Sequence, residues 1–290
     1  MNAPMPASGS SIAGPARERP IGVFDSGIGG LTVVREILRQ LPAEDVIYFG
    51  DSARVPYGGK SAETVTRFSI ENTHFLMRRG IKFLVVACNT ASALALSVLQ
   101  RRFDVPMIGV IVPGAREAVR RTTGRKIGVI GTTGTIGSQA YERAIAEIGS
   151  GYSVEGIACP LFVPLAEEGW TDGDVPRRIA QTYLDPLRGS GVDTVILGCT
   201  HYPLLRPVIA EVLGTGIALV DTAEATVAEV RGELAKLDLL RDGAAGAKGN
   251  RRFFLSDVPL RFREVGGRFL GEPIEDLTWV EQSEIPWYER

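Results

Sequence analysis

The sequence predicts an α/β protein made of two pseudo-symmetric domains with mostly parallel sheets. Short apolar runs alternate with helical patterns along the chain, as in parallel sheets covered by helices. Cys88 and Cys199 each end such an apolar run and precede a helical pattern. A strand followed by a Gly-rich turn occurs at 21–30 and again at 127–137. The offset between these two segments is nearly the same as the offset between the two cysteines. This internal repeat indicates two similar units.

The elements follow in order along the chain. Predicted strands lie at 20–25, 46–50, 82–87, 106–110, 126–131, 153–158, 193–197, 217–220 and 252–255. Helical patterns lie between them, for example at 31–41, 63–79, 92–102 and 176–187. Val112-Pro113-Gly114 and Val220-Asp221-Thr222 are candidate crossovers between the domains. The first domain would then comprise 20–111 plus 222–290, and the second 112–221. Residues 1–19 are rich in Ala, Pro, Ser and Gly and are predicted to form a disordered tail.

Composition excludes several classes of protein. The 290 residues carry 32 basic and 34 acidic side chains, and this net charge of −2 gives no indication of a nucleic-acid partner. Three cysteines in a chain of this length are not a disulfide framework, and reduced thiols fit a cytoplasmic protein. No apolar run approaches the length of a membrane span, so we expect no membrane association.

The two matched cysteines are the main candidates for chemistry. In an open α/β sheet, functional groups gather at the carboxyl ends of the strands. Two acid/base groups that face one another can take a proton from one side of a carbon and return it from the other. Each cysteine precedes a helix N-terminus, which is expected to lower a thiol pKa. The alternative is that Cys88 and Cys199 are small buried hydrophobes. Cys159 has no equivalent in the repeat and is interpreted as structural.

Polar residues near these strand ends are candidate partners. Asp25, at the end of the first strand, could hold a ligand amine, orient a proton carrier or cap the next helix. His201 lies two residues after Cys199 and can exchange protons near neutral pH. Glu167 and Glu168 follow an apolar stretch that we interpret as a loop, where a carboxylate could orient an imidazole, although surface exposure is the default.

Some residues allow more than one interpretation, and three motifs for metal or cofactor binding are incomplete. Thr132 and Thr135 can offer hydroxyls to a substrate carboxylate, or cap a helix. A zinc site from Cys88, Cys199 and His201 lacks an obvious fourth ligand and is disfavoured. Gly59-Lys60-Ser61 matches the end of a phosphate-binding loop, but Arg54 stands where that motif needs glycine. In the turn after the first strand, Thr32 replaces the third glycine of a dinucleotide fingerprint.

In combination, these segments resemble the glutamate racemases, within the cofactor-independent aspartate/glutamate racemase superfamily. The resemblance covers residues from about 20 to 280, in the family's order and spacing. It is carried by Asp25-Ser26-Gly27-Ile28-Gly29-Gly30-Leu31-Thr32-Val33, Pro56-Tyr57-Gly58, Ala87-Cys88-Asn89-Thr90-Ala91, Pro160-Leu161-Phe162-Val163-Pro164-Leu165, Gly198-Cys199-Thr200-His201-Tyr202-Pro203 and a C-terminal stretch from Ser256-Asp257 through Arg268-Phe269-Leu270-Gly271.

The resemblance implies an active site in the cleft between the two domains and a role for each site residue. Cys88 would deprotonate D-glutamate with the help of Asp25. Cys199 would deprotonate L-glutamate with the help of His201, which Glu167 would support. Spacing alone selects Glu167 over the adjacent Glu168. The residues expected to bind substrate are Asp25, Ser26, Tyr57, Gly58, Asn89, Thr90, Thr132, Thr200 and His201.

The implied function is interconversion of L- and D-glutamate, which would supply D-glutamate for peptidoglycan. The implied protein is a cytoplasmic homodimer that uses neither cofactor nor metal. A pyridoxal enzyme would use a lysine, whereas the matched strand ends here hold cysteines. Racemisation of another amino acid or a hydantoin is the nearest alternative. A two-domain ligand-binding protein would have a similar cleft but would not need two matched thiols.

Overall fold

The computed structural model describes residues 15–243, 246–257 and 262–281. Most of the predicted disordered tail lies outside these ranges. For residues 15–19 the prediction is wrong, because Ala16–Glu18 form a 3₁₀ turn. Arg17 in that turn forms ion pairs with Asp238 and Asp242, which anchors it to the body of the protein.

The strands confirm the predicted α/β class. In chain order they are β1 (Ile21–Asp25), β2 (Val46–Gly50), β3 (Phe83–Val86), β4 (Met107–Gly109), β5 (Lys126–Gly131), β6 (Ser153–Ala158), β7 (Thr194–Gly198), β8 (Ala218–Asp221), β9 (Arg251–Leu255) and β10 (Leu277–Trp279). They form a six-stranded sheet of order β10-β9-β2-β1-β3-β4 and a four-stranded sheet of order β6-β5-β7-β8. The pairings within both sheets are parallel.

Helices separate the strands and cover the sheets. They are α1 (Leu31–Gln40), α2 (Ala62–Met77), α3 (Asn89–Leu94), α4 (Leu96–Arg102), α5 (Ile111–Arg121), α6 (Thr133–Gly137), α7 (Ala140–Ile148), α8 (Phe162–Glu168), α9 (Asp174–Leu184), α10 (Arg206–Leu213), α11 (Thr222–Lys236) and α12 (Phe262–Leu270). Strands β1, β2, β3 and β7 are buried along their whole length, as expected for sheets with helices on both faces. No helix in the described ranges is long and apolar enough to cross a bilayer.

The course of the chain joins the two sheets. After β4 the chain leaves the six-stranded sheet, builds the four-stranded sheet, and returns to the first through β9 beside β2. Helix α11 lies along this return path and packs against both α1 and α5. The domain limits at 111/112 and 221/222 stay a prediction.

Three segments differ from the prediction. The pattern at 92–102 forms two helices, which are separated at Ala95, where φ is −117°. The stretch predicted as a loop before Glu167 is instead helix α8. Pro164 falls in the first turn of this helix, where the N–H that proline lacks has no intrahelical partner to lose. Strand β10 was not predicted, because three half-exposed residues carry no clear periodic signal.

Candidate active site

The carboxyl ends of strands from both sheets meet at one cavity of about 280 Å³. Cys88 lies there directly after β3, and Cys199 directly after β7. The cavity therefore receives one thiol from each sheet. Its other lining residues are Ser26, Gly27, Val55, Pro56, Tyr57, Gly58, Gly59, Asn89, Thr90, Thr132, Thr133, Pro160, Val163, Pro164, Glu167, Thr200 and His201.

Cys88 is held as a thiol by its surroundings. Its Sγ lies 3.7 Å from Ser26 Oγ and accepts a hydrogen bond from the backbone N–H of Ala91 at 3.5 Å. Burial, followed by the negative charge of Asp25, raises the pKa of Cys88 to about 12. The expectation that the helix N-terminus lowers this pKa is wrong, because the favourable amide contact is weaker than the cost of burying a thiolate.

Asp25 lies behind Cys88, at the end of β1, and is 1% exposed. Its Oδ2 accepts a hydrogen bond from Gly27 N at 3.0 Å, and burial raises the pKa of the carboxyl group. The helix-capping alternative is wrong, because α1 starts after Gly30 and its cap uses no side-chain hydrogen bond. Asp25 is thus a buried carboxyl group whose charge acts on the neighbouring thiol.

Cys199 begins a chain of polar contacts. Its Sγ lies 3.8 Å from His201 Nδ1, and His201 Nε2 lies 2.9 Å from Glu167 Oε1. Burial lowers the pKa of His201, but hydrogen bonds with Cys199 and Glu167 outweigh it and raise this pKa to about 10. The imidazole is therefore held as a cation beside the Cys199 sulfur. Glu168 is exposed and does not line the cavity.

Hydroxyl groups form a cluster between the two sheets. Thr90 Oγ1 lies 2.9 Å from Thr132 Oγ1 and 3.3 Å from Thr135 Oγ1. Thr132 also caps α6 by accepting a hydrogen bond from Thr135 N, so the capping role and a position on the cavity coexist. Asn89 Oδ1 accepts a hydrogen bond from Tyr141 Oη at 2.7 Å, which orients the amide. Rotatable hydroxyls of this kind can donate to a carboxylate.

The loop after β2 forms another wall of the cavity. Gly58 O accepts a hydrogen bond from Gly134 N at 2.8 Å, which ties this loop to the four-stranded sheet unit. The hydroxyl of Tyr57 donates to Asp51 and accepts from Asn72 Nδ2 at 3.1 Å. Tyr57 lines the cavity while its hydroxyl is held in these hydrogen bonds.

Two features of the site were not predicted from the sequence. The first is a buried network under the Tyr57 loop, in which Arg54 forms ion pairs with Asp51 and Glu71. The second is the contact of Phe269 with the His201 ring. Neither has a local sequence signal, although Phe269 lies in a stretch that carries the family resemblance.

The arrangement is suited to proton transfer from two sides. One thiol has a buried carboxyl group beside it, and the other has an imidazole–carboxylate pair. Across residues 15–243, 246–257 and 262–281, no three His, Cys, Asp or Glu side chains are grouped as metal ligands would be.

Comparison with known proteins places the chain among racemases. A sequence model of the Asp/Glu/hydantoin racemase family matches residues 21–230. A glutamate racemase from Geobacter metallireducens is 56% identical over 262 residues, which cover 90% of this chain and 96% of that protein. A crystal structure of a glutamate racemase isoform from Bacillus anthracis matches with a TM-score of 0.88 and 42% identity, covering 92% of this chain and 98% of the other. Glutamate racemase from Francisella tularensis in complex with D-glutamate matches with a TM-score of 0.85 and 37% identity, covering 91% and 98%.

Proposed function

Because this chain belongs to the Asp/Glu/hydantoin racemase family, we propose that it interconverts L- and D-glutamate by proton transfer between two cysteines. The observation that carries the proposal is the pair Cys88 and Cys199, which line one cavity from matching strand ends of two sheets. The glutamate racemases at 56% and 47% identity over 90% of the chain support glutamate as the substrate.

The proposed reaction starts at the α-carbon. With L-glutamate, the Cys199 thiolate, which the His201 imidazolium stabilises before the transfer, removes the α-proton and becomes a thiol. The Cys88 thiol then donates its proton to the opposite face, which gives D-glutamate and leaves Cys88 as a thiolate. With D-glutamate the roles reverse: Asp25 accepts the Cys88 proton and the His201 imidazolium gives its proton to Cys199 before the reaction. The Cys88 thiolate then removes the α-proton, and the Cys199 thiol donates its proton to the opposite face. In either direction, only one of the two cysteines is a thiolate at a time.

The main difficulty is the weak acidity of the α-hydrogen, many pKa units above that of a thiol. Stabilisation must come from donors fixed around a carbanion-like transition state and from exclusion of water. We propose that the hydroxyl cluster of Thr90 and Thr132 and the amide of Asn89 bind the substrate carboxylates. The remaining proposed substrate contacts are Asp25, Ser26, Tyr57, Gly58, Thr200 and His201.

The decisive experiment follows optical activity. Purified protein is incubated with L-glutamate without added pyridoxal phosphate, and the circular dichroism signal is recorded. The wild type should bring the signal to zero, whereas Cys88→Ala and Cys199→Ala should leave it unchanged. Cys159→Ala is the matched control, because Cys159 is buried but does not line the cavity. Near-normal turnover by either active-site variant would refute the two-base mechanism.

The same assay separates the alternative substrates. If folded, reduced wild-type protein leaves the L-glutamate signal unchanged, aspartate and hydantoins are assayed next. Activity with one of these alone would assign the chain to a sister reaction of the family. If solvent deuterium does not exchange into any of the bound ligands, the result would favour a ligand-binding protein.

Cellular role and assembly are proposed on the resemblance to glutamate racemases. The chain would act in the cytoplasm as a homodimer and supply D-glutamate for peptidoglycan. The three cysteines are free, as expected of a protein in a reducing compartment. Rescue of a D-glutamate-requiring bacterium tests the role, and light scattering of the purified protein tests the dimer.

A further inference from the structure

Helix α12 reaches from the C-terminal part of the chain to the polar contacts around Cys199. It packs against α1, and Gly266 permits this close approach, since a Cβ there would lie 3.2 Å from Leu31 Cδ1. The last turn of α12 contains Arg268 and Phe269. Both contact the His201–Glu167 pair, one through a ring and the other through a hydrogen bond.

Phe269 contacts the imidazole directly. Its side chain is fully buried, and its ring centroid lies 5.1 Å from that of His201 with an angle of 77° between the planes. This edge-to-face geometry is favourable for aromatic rings and restricts rotation of the imidazole. The two ring nitrogens of His201 are engaged by Cys199 and Glu167. Phe269 thus fixes the ring plane while the polar groups fix its ends.

Arg268 acts on the other member of the pair. Its Nη2 donates a hydrogen bond to the backbone oxygen of Glu167 at 2.8 Å. Glu167 lies in the last turn of α8, where free carbonyl groups favour a cation. Gly169 then ends this helix with a φ of 77°, and a Cβ there would lie 1.9 Å from Arg268 Nη1. The guanidinium fills the space that only glycine leaves open.

We propose that Arg268 and Phe269 are positioning residues that hold the His201–Glu167 pair in line with Cys199. The inference rests on the proposed racemase function and deepens it. These residues touch neither the substrate cavity nor its thiols. They serve the half of the reaction in which Cys199 gives or takes the proton, and leave the transfer at Cys88 unaffected.

This asymmetry can be measured with isotopes. Enantiomers have equal free energy in water, so kcat/KM must be equal in both directions for every variant. Isotope effects are not bound by this equality. When transfer at Cys199 slows, the deuterium effect on kcat/KM grows for L-glutamate labelled at the α-carbon. For labelled D-glutamate it falls toward one, because its C–D cleavage at Cys88 no longer limits the rate.

The test uses matched pairs of variants on the same helix. Phe269→Leu removes the ring edge, and we expect kcat to fall on the order of tenfold. This is less than the roughly hundredfold loss expected when a catalytic group is displaced by a full ångström. Arg268→Gln should lower kcat about threefold, as expected for loss of one exposed hydrogen bond, and Arg268→Lys should restore part of it. The controls are Phe262→Leu, another buried aromatic of α12, and Arg263→Gln, whose guanidinium donates to Ile274 O.

A second readout does not need turnover. The chain has two histidines, so the imidazole signals in a ¹H–¹⁵N spectrum are assigned with His74→Gln. The buried Nε2–H of His201 should give a slowly exchanging signal in the wild type. We expect Phe269→Leu and Arg268→Gln to broaden or lose it, and the controls to keep it.

The outcomes separate the two proposals. Opposite changes in the two isotope effects, together with loss of the His201 signal, support the positioning role. Unchanged isotope effects and an intact signal in Phe269→Leu and Arg268→Gln would overturn it, as would equal losses in the control variants. An inactive wild type would refute the racemase function, while the His201 signal would still decide whether α12 positions the imidazole.

Discussion

Gly29 and His201 lie so close that a Cβ atom on Gly29 would be 2.4 Å from His201 Nδ1. The same atom would lie 2.3 Å from Thr200 Oγ1. Gly29 belongs to the turn after β1 of the six-stranded sheet, whereas His201 follows β7 of the other sheet. Thr32, at the start of α1, adds a hydrogen bond from its hydroxyl to Thr200 O at 3.1 Å. The turn after β1 therefore restricts the position of the His201 imidazole.

Gly29→Ala should lower kcat by about a hundredfold, because the added methyl group displaces His201 from Cys199 by a substantial fraction of an ångström. Steady-state kinetics with L-glutamate measures the loss. Gly232→Ala is the control, because a Cβ at that helical position meets no atom within 4 Å. Equal activity of Gly29→Ala and Gly232→Ala would show that His201 need not hold this position.

The raised pKa of His201 makes stability depend on pH. Because its folded-state pKa is about 10 and its unfolded value about 6.5, the imidazolium contributes its full stabilisation below about pH 6.5. That contribution falls as pH rises toward 10, by at most about 1.4 kcal/mol per pH unit. Urea unfolding of wild type and His201→Gln from pH 6 to 10 should show a difference that shrinks with rising pH. A constant difference would contradict the assigned protonation.

The titration of Cys88 depends on its neighbour Asp25. Burial is the largest cause of the raised pKa of Cys88 and the Asp25 charge is the second, so Asp25→Asn should lower this pKa. Alkylation rates against pH, in a chain that lacks the other two cysteines, report the thiolate of Cys88. In this two-cysteine-deficient chain the rate should still rise at pH 10 when Asp25 is present, and Asp25→Asn should shift the profile to lower pH. The exposed residue Asp172 supplies the control, since Asp172→Asn should leave the profile in place.

The sequence predicted those parts of the fold that depend on local patterns. Apolar runs located β1 to β9, and the repeat of thiols after β3 and β7 indicated two similar sheets. The carboxyl-end rule then brings Cys88 and Cys199 to sheet edges, where the structure places both on one cavity. Helix α8 was missed because its proline and the turns on either side of it are also typical of a loop.

The unpredicted features depend on tertiary contacts. The pKa of Cys88 is set by burial and by the Asp25 charge, which outweigh the local effect of a helix N-terminus. Phe269 meets His201 from a distant part of the chain, and no periodicity links them. The same holds for Glu71, which looks like a surface position of α2 but is fully buried beside Arg54. Only the packed structure brings such groups together.

The buried network under the Tyr57 loop should contribute to both stability and substrate affinity. Asp51 and Glu71 are fully buried, and Arg54 between them is 10% exposed at its side chain. Removing one partner of a buried ion pair leaves charge without compensation, so Glu71→Gln should cost about 3 kcal/mol of unfolding free energy. Ser256, the residue after β9, donates a hydrogen bond from its Oγ to Asp51 Oδ1 at 3.0 Å, so the segment that follows β9 also helps to hold the network.

A looser network should also let Tyr57 move, because its hydroxyl is held by Asp51 and Asn72. We therefore expect Glu71→Gln to raise KM for glutamate several-fold while kcat changes less, since neither thiol is displaced. Urea unfolding and steady-state kinetics measure the two effects on one preparation. Glu63→Gln removes an exposed carboxylate from the first turn of the same helix and should change neither. If Glu71→Gln lost stability but kept its KM, the network would serve folding alone. The Tyr57 loop would then be positioned by the hydrogen bond that Gly58 O accepts from Gly134 N.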